Sequence, residues 1–432
     1  MDAIPDDLVW SLLEISHSAL KPKDLANLIR AGRRFRPLVN PLLFRRVTLH
    51  AKRATIEELA AVLRLGHTRA LTIPDACAPH EDALGALLGA AALEPAGAAA
   101  LKRLEVDDFT PSLAALLASP RFPALRTIAL MSEYDSQVTP VALLEDARIT
   151  ASHVNVTPAE LCHVLDARPT MPPLWKLMTL RLPEGGAASV APLRRLADAG
   201  VRANTLTLDS VDEEEATDED AAAIGVAVAL IAEHSLMFTP NVDLEVAAHV
   251  IRACMGRGVV KTYAVVGIAN GILLETMVEA GGTMDALSLY FDNDNMYDDE
   301  LTLTSAALRA LLMRDSIRSL TVGMRNELEG ATINHLMTVI CAPESAGLTS
   351  LTVILSAKNA ERYVIPRLSA LPNLRELGLM LFEVDGDLDS AVRLGAAVAT
   401  AAPSVRQISL DMPDRAAPEW IRAFMVAFAP AE

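Results

Sequence analysis

The sequence has few aromatic residues, few cysteines and no long hydrophobic segment. Aromatic residues make up only 4% of its 432 residues, whereas hydrophobic residues make up 51%, so a core must be built from Ala, Leu, Val and Ile. The four cysteines lie far apart in the chain, which excludes CxxC-type zinc sites and a dense disulfide framework. The longest uncharged apolar run, 221–232, is shorter than the ~18–20 residues that span a bilayer.

Positive charge is also in short supply. The formal net charge of −17 argues against a nucleic-acid-binding surface over the whole molecule. Residues 1–53 are the exception, because they carry more Lys and Arg than Asp and Glu. We therefore expect a soluble protein of the cytoplasm and/or nucleus, with neither nucleic acid nor membrane as a partner and with no cofactor or metal.

A short apolar pattern recurs along the chain: an apolar residue, two further residues, an apolar residue, one residue and an apolar residue. The second apolar residue of each copy, here called the middle residue, recurs every 28 residues or so. Because strand side chains alternate, the last two apolar residues of each copy point into one core. The fourteen middle residues are Val47, Leu71, Leu104, Ile128, Val154, Leu180, Leu206, Leu236, Tyr263, Leu287, Leu320, Leu351, Leu377 and Ile408.

Period and pattern together resemble leucine-rich repeats, although the turn asparagines of many such repeats are missing. The resemblance implies an α/β fold: an irregular solenoid of about 14 units over residues 47–412, with a parallel sheet on the concave face and helices outside. Helix-start signals between the copies support an alternation of strands and helices. At Thr157-Pro158, for example, Thr fits an N-cap and Pro fits the first helical position. Residues 413–432 are predicted to be a helical cap with an apolar face of Trp420, Ile421, Phe424 and Phe428.

The predicted concave face is mostly small and neutral, which favours a protein or peptide ligand over a polyanion. The residues that we expect to contact a target protein there are Glu105, Asn155, Arg181, Met237 and Tyr290. Basic residues also recur two positions before the middle residue, and we expect their stems to lie over apolar surface. They are Arg45, Arg69, Lys102, Arg126, Lys261, Arg318, Arg375 and Arg406.

Residues 1–46 predict a set of short amphipathic helices and resemble an F-box. The family pattern is matched in order by Ile4-Pro5, Asp7-Leu8, the segment from Leu12 to Ile15, Asp24-Leu25, Arg33-Arg34-Phe35 and Leu43-Phe44-Arg45-Arg46. One departure is the distance from Pro5 to Leu25, which exceeds the usual family spacing by about four residues, close to one helical turn.

F-box proteins with leucine-rich repeats are substrate receptors of Skp–cullin–F-box ubiquitin ligases. The resemblance therefore implies a non-enzymatic protein whose F-box-like module docks on a Skp-type adaptor, and through it on a cullin, while the repeats bind a target protein. The implied adaptor contacts are Ile4, Pro5, Leu8, Leu12, Ile15, Leu25 and Leu28. The alternatives are a repeat scaffold without a ligase link, in which residues 1–46 act as a helical cap, and an enzyme.

Three further segments resemble sites only in part. Gly256 to Thr262 lacks the Gly-Lys pair of a phosphate loop and is predicted to be a glycine helix stop before the Tyr263 strand. Asp292 to Glu300 lacks the Gly and Glu of an EF-hand and is predicted to be a solvated loop, with a different cation site as the alternative. The acidic stretch 212–220 is predicted to be an exposed insertion or a docking patch for a basic partner.

Overall fold

The structure, a computed structural model, describes most of the second half of the chain and shorter stretches of the first. The described residues are 39, 44–48, 66–73, 100–106, 122–130, 139, 141–145, 150–151, 153–168, 174–183, 187–210, 216–267, 270–291, 298–314, 316–324, 330–382, 387–411 and 418–428. The chain divides into two units. Unit 1 comprises residues 1–156 and 160–172, and unit 2 comprises residues 157–159 and 173–432.

Unit 1 contains a parallel sheet whose strands follow one another in chain order. These strands are β1 (Arg46–Thr48), β2 (Ala70–Ile73), β3 (Arg103–Val106), β4 (Thr127–Leu130) and β5 (Thr150–Ala151). The unit also holds the short helix α1 (Val141–Glu145), strand β6 (His153–Val156) and most of helix α2 (Pro158–Ala167). Leu71 and Leu104, which are paired across β2 and β3, are completely buried in its core.

Unit 2 alternates strands and helices, and its strands form a parallel sheet in chain order. The strands are β7 (Leu174–Leu182), β8 (Arg202–Ser210), β9 (Ala232–Phe238), β10 (Thr262–Val266), β11 (Ala286–Phe291), β12 (Ser319–Met324), β13 (Ser350–Leu355), β14 (Glu376–Leu381) and β15 (Gln407–Asp411). The helices are α3 (Ala187–Asp198), α4 (Asp218–Ile231), α5 (Leu244–Arg257), α6 (Asn270–Ala280), α7 (Asp298–Leu312), α8 (Gly330–Ile340), α9 (Leu388–Ala401) and α10 (Pro418–Phe428). An irregular helical segment, 357–370, connects β13 to β14.

The predicted strands are confirmed, because each of the fourteen middle residues lies in a strand. From β8 to β15 the middle residues also pair directly with one another, as Leu320 does with Leu287 and with Leu351. At β7 the register differs by two residues, because Met178 and not the middle residue Leu180 lies opposite Leu206. A shift of two residues leaves every side chain on its face, so the apolar pattern could not distinguish the two registers.

The helix boundaries follow local signals in the sequence. Helix α2 begins at Pro158, as predicted. Helix α5 begins after Asp243, whose side chain accepts a hydrogen bond from the Val246 N–H, and it ends at Gly258. Gly258 has a φ of 65°, a left-handed conformation that glycine adopts without strain. This confirms the predicted helix stop in place of a phosphate loop.

Helix α10 packs on α9 with one apolar face. Trp420 and Phe424 are buried and stacked with ring centroids 5.9 Å apart, and Phe428 continues the stack at 6.4 Å. The predicted apolar face is confirmed at these three residues and is wrong at Ile421, which is 38% exposed. Ile421 follows Trp420 directly and therefore points about 100° away from it around the helix.

No helix among the described residues is long and apolar enough to cross a membrane.

Tyr263 places a hydroxyl in the core of unit 2, where burial raises the pKa of that group. Its side chain is completely buried, and the hydroxyl has no hydrogen-bond partner within the described part of the chain. Replacing Tyr263 with Phe is expected to raise the free energy of unfolding by about 1 kcal/mol, because a buried polar group without a partner is destabilising. Urea unfolding of the two proteins measures the difference. A loss of stability on removing the hydroxyl would contradict the prediction.

Candidate functional site

The strands of unit 2 have one face turned into the core and one turned away from it. In β10, for example, Tyr263 and Val265 are buried, while Thr262, Ala264 and Val266 are only half-buried. The same alternation holds in β11 and β13. We call the outward-facing side chains of β7–β15 the open face. Parallel register aligns these side chains into rows that cross the sheet.

The row beside the middle residues is small and mostly neutral. Among these side chains Met237 is the longest apolar one, and Gly378 has none, which leaves room for the side chain of its neighbour Thr352. A surface of small side chains allows the backbone of a ligand to approach the sheet closely. The row consists of Thr207, Met237, Ala264, Ser288, Thr321, Thr352, Gly378 and Ser409.

The next row, two residues further along each strand, contains an apolar strip. Tyr290 lies over its neighbour Gly323, where a Cβ atom would come 2.5 Å from the tyrosine Cδ1. Ile354 and Met380 continue the row beyond Gly323, and Val266 precedes Tyr290. Met380 is 38% exposed, and Val266, Tyr290 and Ile354 are half-buried. We call these residues, Val266, Tyr290, Gly323, Ile354 and Met380, the apolar strip.

Charged residues flank the apolar strip on both sides. Arg181 of β7 pairs in register with Asp209 of β8, and Thr239 donates its hydroxyl to the Asp209 carboxylate at 2.6 Å. At the other side, Asp411 of β15 lies next to Met380. An apolar centre with an aromatic residue and a polar rim is the composition expected of a protein-binding surface.

The residues predicted to contact a target fall in different places. Met237 and Tyr290 lie on the open face, and Arg181 lies in the row of Tyr290, not in the row of Met237, because of the shifted register of β7. Asn155 is completely buried, and its backbone exchanges hydrogen bonds with Thr139. Its side chain presents no surface to a partner, so the prediction for Asn155 is corrected.

Glu105 belongs to the sheet of unit 1. Its Oε2 accepts a hydrogen bond of 2.7 Å from the Thr72 hydroxyl, and its Oε1 accepts one of 2.7 Å from Arg103 Nε. The Thr72 hydroxyl, followed by the Arg103 guanidinium, holds the pKa of the Glu105 carboxyl below its usual value. Both carboxylate oxygens are therefore already engaged within the sheet.

The predicted adaptor contacts lie outside the described residues and remain predictions. They are Ile4, Pro5, Leu8, Leu12, Ile15, Leu25 and Leu28.

Val266, Ile354 and Met380 were not predicted as site residues. Apart from Tyr290, every predicted target contact lies directly after a middle residue, whereas these three lie two positions further on. The sequence contains a signal for these three residues. Each is a large apolar residue three positions after a middle residue, where the alternation of strand side chains predicts an outward position.

Three potential metal ligands meet where α4 and α5 begin. Ligand atoms of Asp218, Glu245 and His249 lie within 4.8 Å of one another, and His249 Nε2 is 2.7 Å from Asp218 Oδ1. Gly225 allows this approach, since a Cβ atom there would lie 2.8 Å from the His249 carbonyl oxygen. Both carboxylates are exposed, and they lie at helix N-termini, where negative charge is stabilising without a metal. The cluster is explained as a hydrogen bond between His249 and Asp218 that joins two helices.

Two grooves lie between neighbouring helices. One, of about 430 Å³, lies between α3 and α4 and is lined mostly by alanine together with Val226. The other, of about 370 Å³, lies between α9 and α10 and is lined by Val392 and Val426 among others. Neither groove has histidine, cysteine or a pair of carboxylates among its lining residues, so neither offers a general acid and base.

No protein-family model and no curated protein matches the sequence.

Proposed function

We propose that this protein is a non-enzymatic receptor that binds a target protein on the open face of unit 2. The observation that carries the proposal is the apolar strip, which crosses several strands of one sheet and is flanked by charged residues. The hydration of exposed apolar surface is unfavourable, and burial of that surface against a partner removes the cost.

The N-terminal segment supplies the second half of the proposal. Its resemblance to an F-box supports docking on a Skp-type adaptor and, through the adaptor, on a cullin. A receptor of this kind would hold its target on the repeats within a ubiquitin ligase, in the cytoplasm or the nucleus. The support for this half comes from the order of motifs in residues 4–46 and from the repeats that follow them.

The test of the adaptor link uses the full-length protein and a purified Skp-type adaptor. The double variant Leu8→Asp/Leu25→Asp is expected to lose adaptor binding, because charge on the docking faces of the predicted helices cannot be buried. The matched control, Val226→Asp, changes a residue that is 61% exposed on α4 and should bind the adaptor normally. Absence of binding by the wild-type protein, or equal binding by the double variant, would refute the ligase link.

The open face is tested separately by quantitative cross-linking in cells. Ile354→Arg places a charge in the apolar strip and is expected to reduce at least one cross-linked partner about tenfold or more relative to wild type. Val226→Arg is the control, and a midpoint of urea unfolding equal to that of the wild type shows that Ile354→Arg is folded. If the two variants retain the same partners at the same yield, the open face is not the binding surface.

A repeat scaffold without a ligase link is the second candidate. It is favoured by the absence of any matching family model, an F-box model included, and by the additional residues between Pro5 and Leu25. This candidate predicts that deletion of residues 1–45 leaves target binding unchanged and that the full-length protein recruits no adaptor.

A further inference from the structure

Four basic residues stand in a column at the start of consecutive strands of unit 1. The backbone N–H of Arg69 donates to the Arg45 carbonyl at 2.9 Å, that of Lys102 to Arg69 at 2.8 Å, and that of Arg126 to Lys102 at 2.9 Å. These bonds align the four residues in parallel register, so their side chains leave the sheet side by side. We call Arg45, Arg69, Lys102 and Arg126 the cationic column.

The column is accessible and is not neutralised from within the sheet. Arg69, Lys102 and Arg126 are exposed. None of the four forms an ion pair with another described residue, and Arg126 donates only to the backbone carbonyls of Pro123 and Leu125. The nearby carboxylate of Glu105 is already held by Thr72 and Arg103.

Within the described part of unit 1, such an arrangement is electrostatically unfavourable. Adjacent strands lie about 4.8 Å apart, and like charges directly opposite each other on neighbouring strands are destabilising. Four such residues in succession repeat that cost at three interfaces between strands. The repulsion is relieved when negative charge from outside lies along the column.

The same position in unit 2 shows that the fold does not require a basic residue there. In unit 2, the residues joined by the corresponding backbone hydrogen bonds alternate between basic ones and acidic or neutral ones. Asp285 separates Lys261 from Arg318, and Thr349 separates Arg318 from Arg375. Among these described residues, Arg375 and Arg406 are the only neighbours that are both Lys or Arg. Uninterrupted positive charge is therefore a property of unit 1 and not of the repeat.

We propose that the cationic column binds an acidic segment of a partner protein, with carboxylates of an extended chain lying along the four basic side chains. Three strand spacings make the column about 14 Å long, which matches four or five residues of extended chain. The net charge of −17 opposes the approach of a long polyanion such as nucleic acid and favours a short acidic segment. The proposal concerns a surface other than the open face and does not require the ligase link.

The binding test uses the full-length protein and a fluorescent oligoglutamate peptide of about eight residues, with an oligoglutamine peptide as the neutral control. Fluorescence anisotropy at low salt is expected to show binding of oligoglutamate only, with an affinity that falls as salt is added. Arg69→Glu/Lys102→Glu is expected to weaken this binding about tenfold or more. The matched control, Arg318→Glu/Arg375→Glu in unit 2, makes the same change in net charge and should bind like wild type.

Three outcomes would overturn the proposal: no binding of oligoglutamate at low salt, an equal loss in the two double variants, or tighter binding of a single-stranded oligonucleotide with the same dependence on Arg69 and Lys102. The last result would assign the column to nucleic acid.

A stability measurement tests the repulsion itself and requires no ligand. Lys102→Gln is expected to raise the midpoint temperature of unfolding of the unbound protein at low salt, and this rise should disappear in about 0.5 M salt, where charges on adjacent strands are screened. Arg318→Gln, next to Asp285, should not raise the midpoint. A decrease or no change for Lys102→Gln at low salt would show that the neighbouring charges do not repel, and the premise would fail.

Discussion

Replacing Phe424 with Ala is expected to lower the free energy of unfolding of unit 2 by about 3–5 kcal/mol. Phe424 is completely buried at the centre of α10, between Trp420 and Phe428. Removing its ring leaves a cavity between α9 and α10, which their rigid backbones cannot close. Urea unfolding followed by tryptophan fluorescence, to which Trp420 on the same helix face contributes, measures the loss.

The control for this prediction lies on the opposite side of the same helix. Val426 is 73% exposed, and Val426→Ala should change the stability by less than about 0.5 kcal/mol. Gly395→Val approaches the same interface from α9, because a Cβ at Gly395 would overlap the Phe424 carbonyl oxygen. It should also destabilise unit 2. Equal stability of the Phe424 and Val426 variants would mean that α10 does not cap the unit in solution.

Alkaline pH is expected to destabilise unit 2 through two buried thiols. Burial raises the pKa of Cys254 and that of Cys341 to about 12, each from an ordinary value near 9. In the unfolded chain the thiols lose their protons near pH 9, whereas the folded protein retains them up to about pH 12. The free energy of unfolding is therefore unaffected below about pH 8 and falls between about pH 9 and pH 12 by about 1.4 kcal/mol per pH unit for each thiol.

The measurement compares urea unfolding at about pH 7 and about pH 10, where the two thiols together should reduce the stability by about 3 kcal/mol. The double variant Cys254→Ala/Cys341→Ala starts from a lower stability, because it loses buried volume, but its stability should change much less between the two pH values. If the wild-type protein and the double variant lose equal stability over this range, the thiols are not the cause.

Much of the fold could be predicted from the sequence because the apolar pattern is physically tied to it. The inward residues of each strand must be apolar to form a core without many aromatic side chains, and the repeat recurs often enough to locate every strand that it marks. Helix ends were predictable where a residue has a specific backbone role, as at Pro158 and Gly258.

Other features depend on how elements meet in space. The register of β7 could not be read, because two registers two residues apart bury the same face. The burial of Asn155 was hidden, since an outward position on a strand does not reveal what covers it. His249 meets Asp218 only because Gly225 lets α4 and α5 approach closely, and the two residues lie on different helices.

The sequence predicted only part of the apolar strip. It also identified the residues of the cationic column, but not that they form one charged surface. Both are rows across strands, so their members are separated by a whole repeat in the chain. Tyr290 was predicted, but its neighbours in the row were not. The basic residues were identified from the sequence. The backbone hydrogen bonds between strands then show that four of them lie side by side without interruption in unit 1.

The chain-order arrangement of strands in unit 2 has a consequence for how such a protein can diversify. Each internal strand bonds only to the strand before it and the strand after it. Insertion or loss of one strand–helix module would therefore lengthen or shorten the open face by about 4.8 Å while leaving the remaining contacts intact. The footprint available to a ligand can thus evolve in discrete increments, independently of side-chain chemistry.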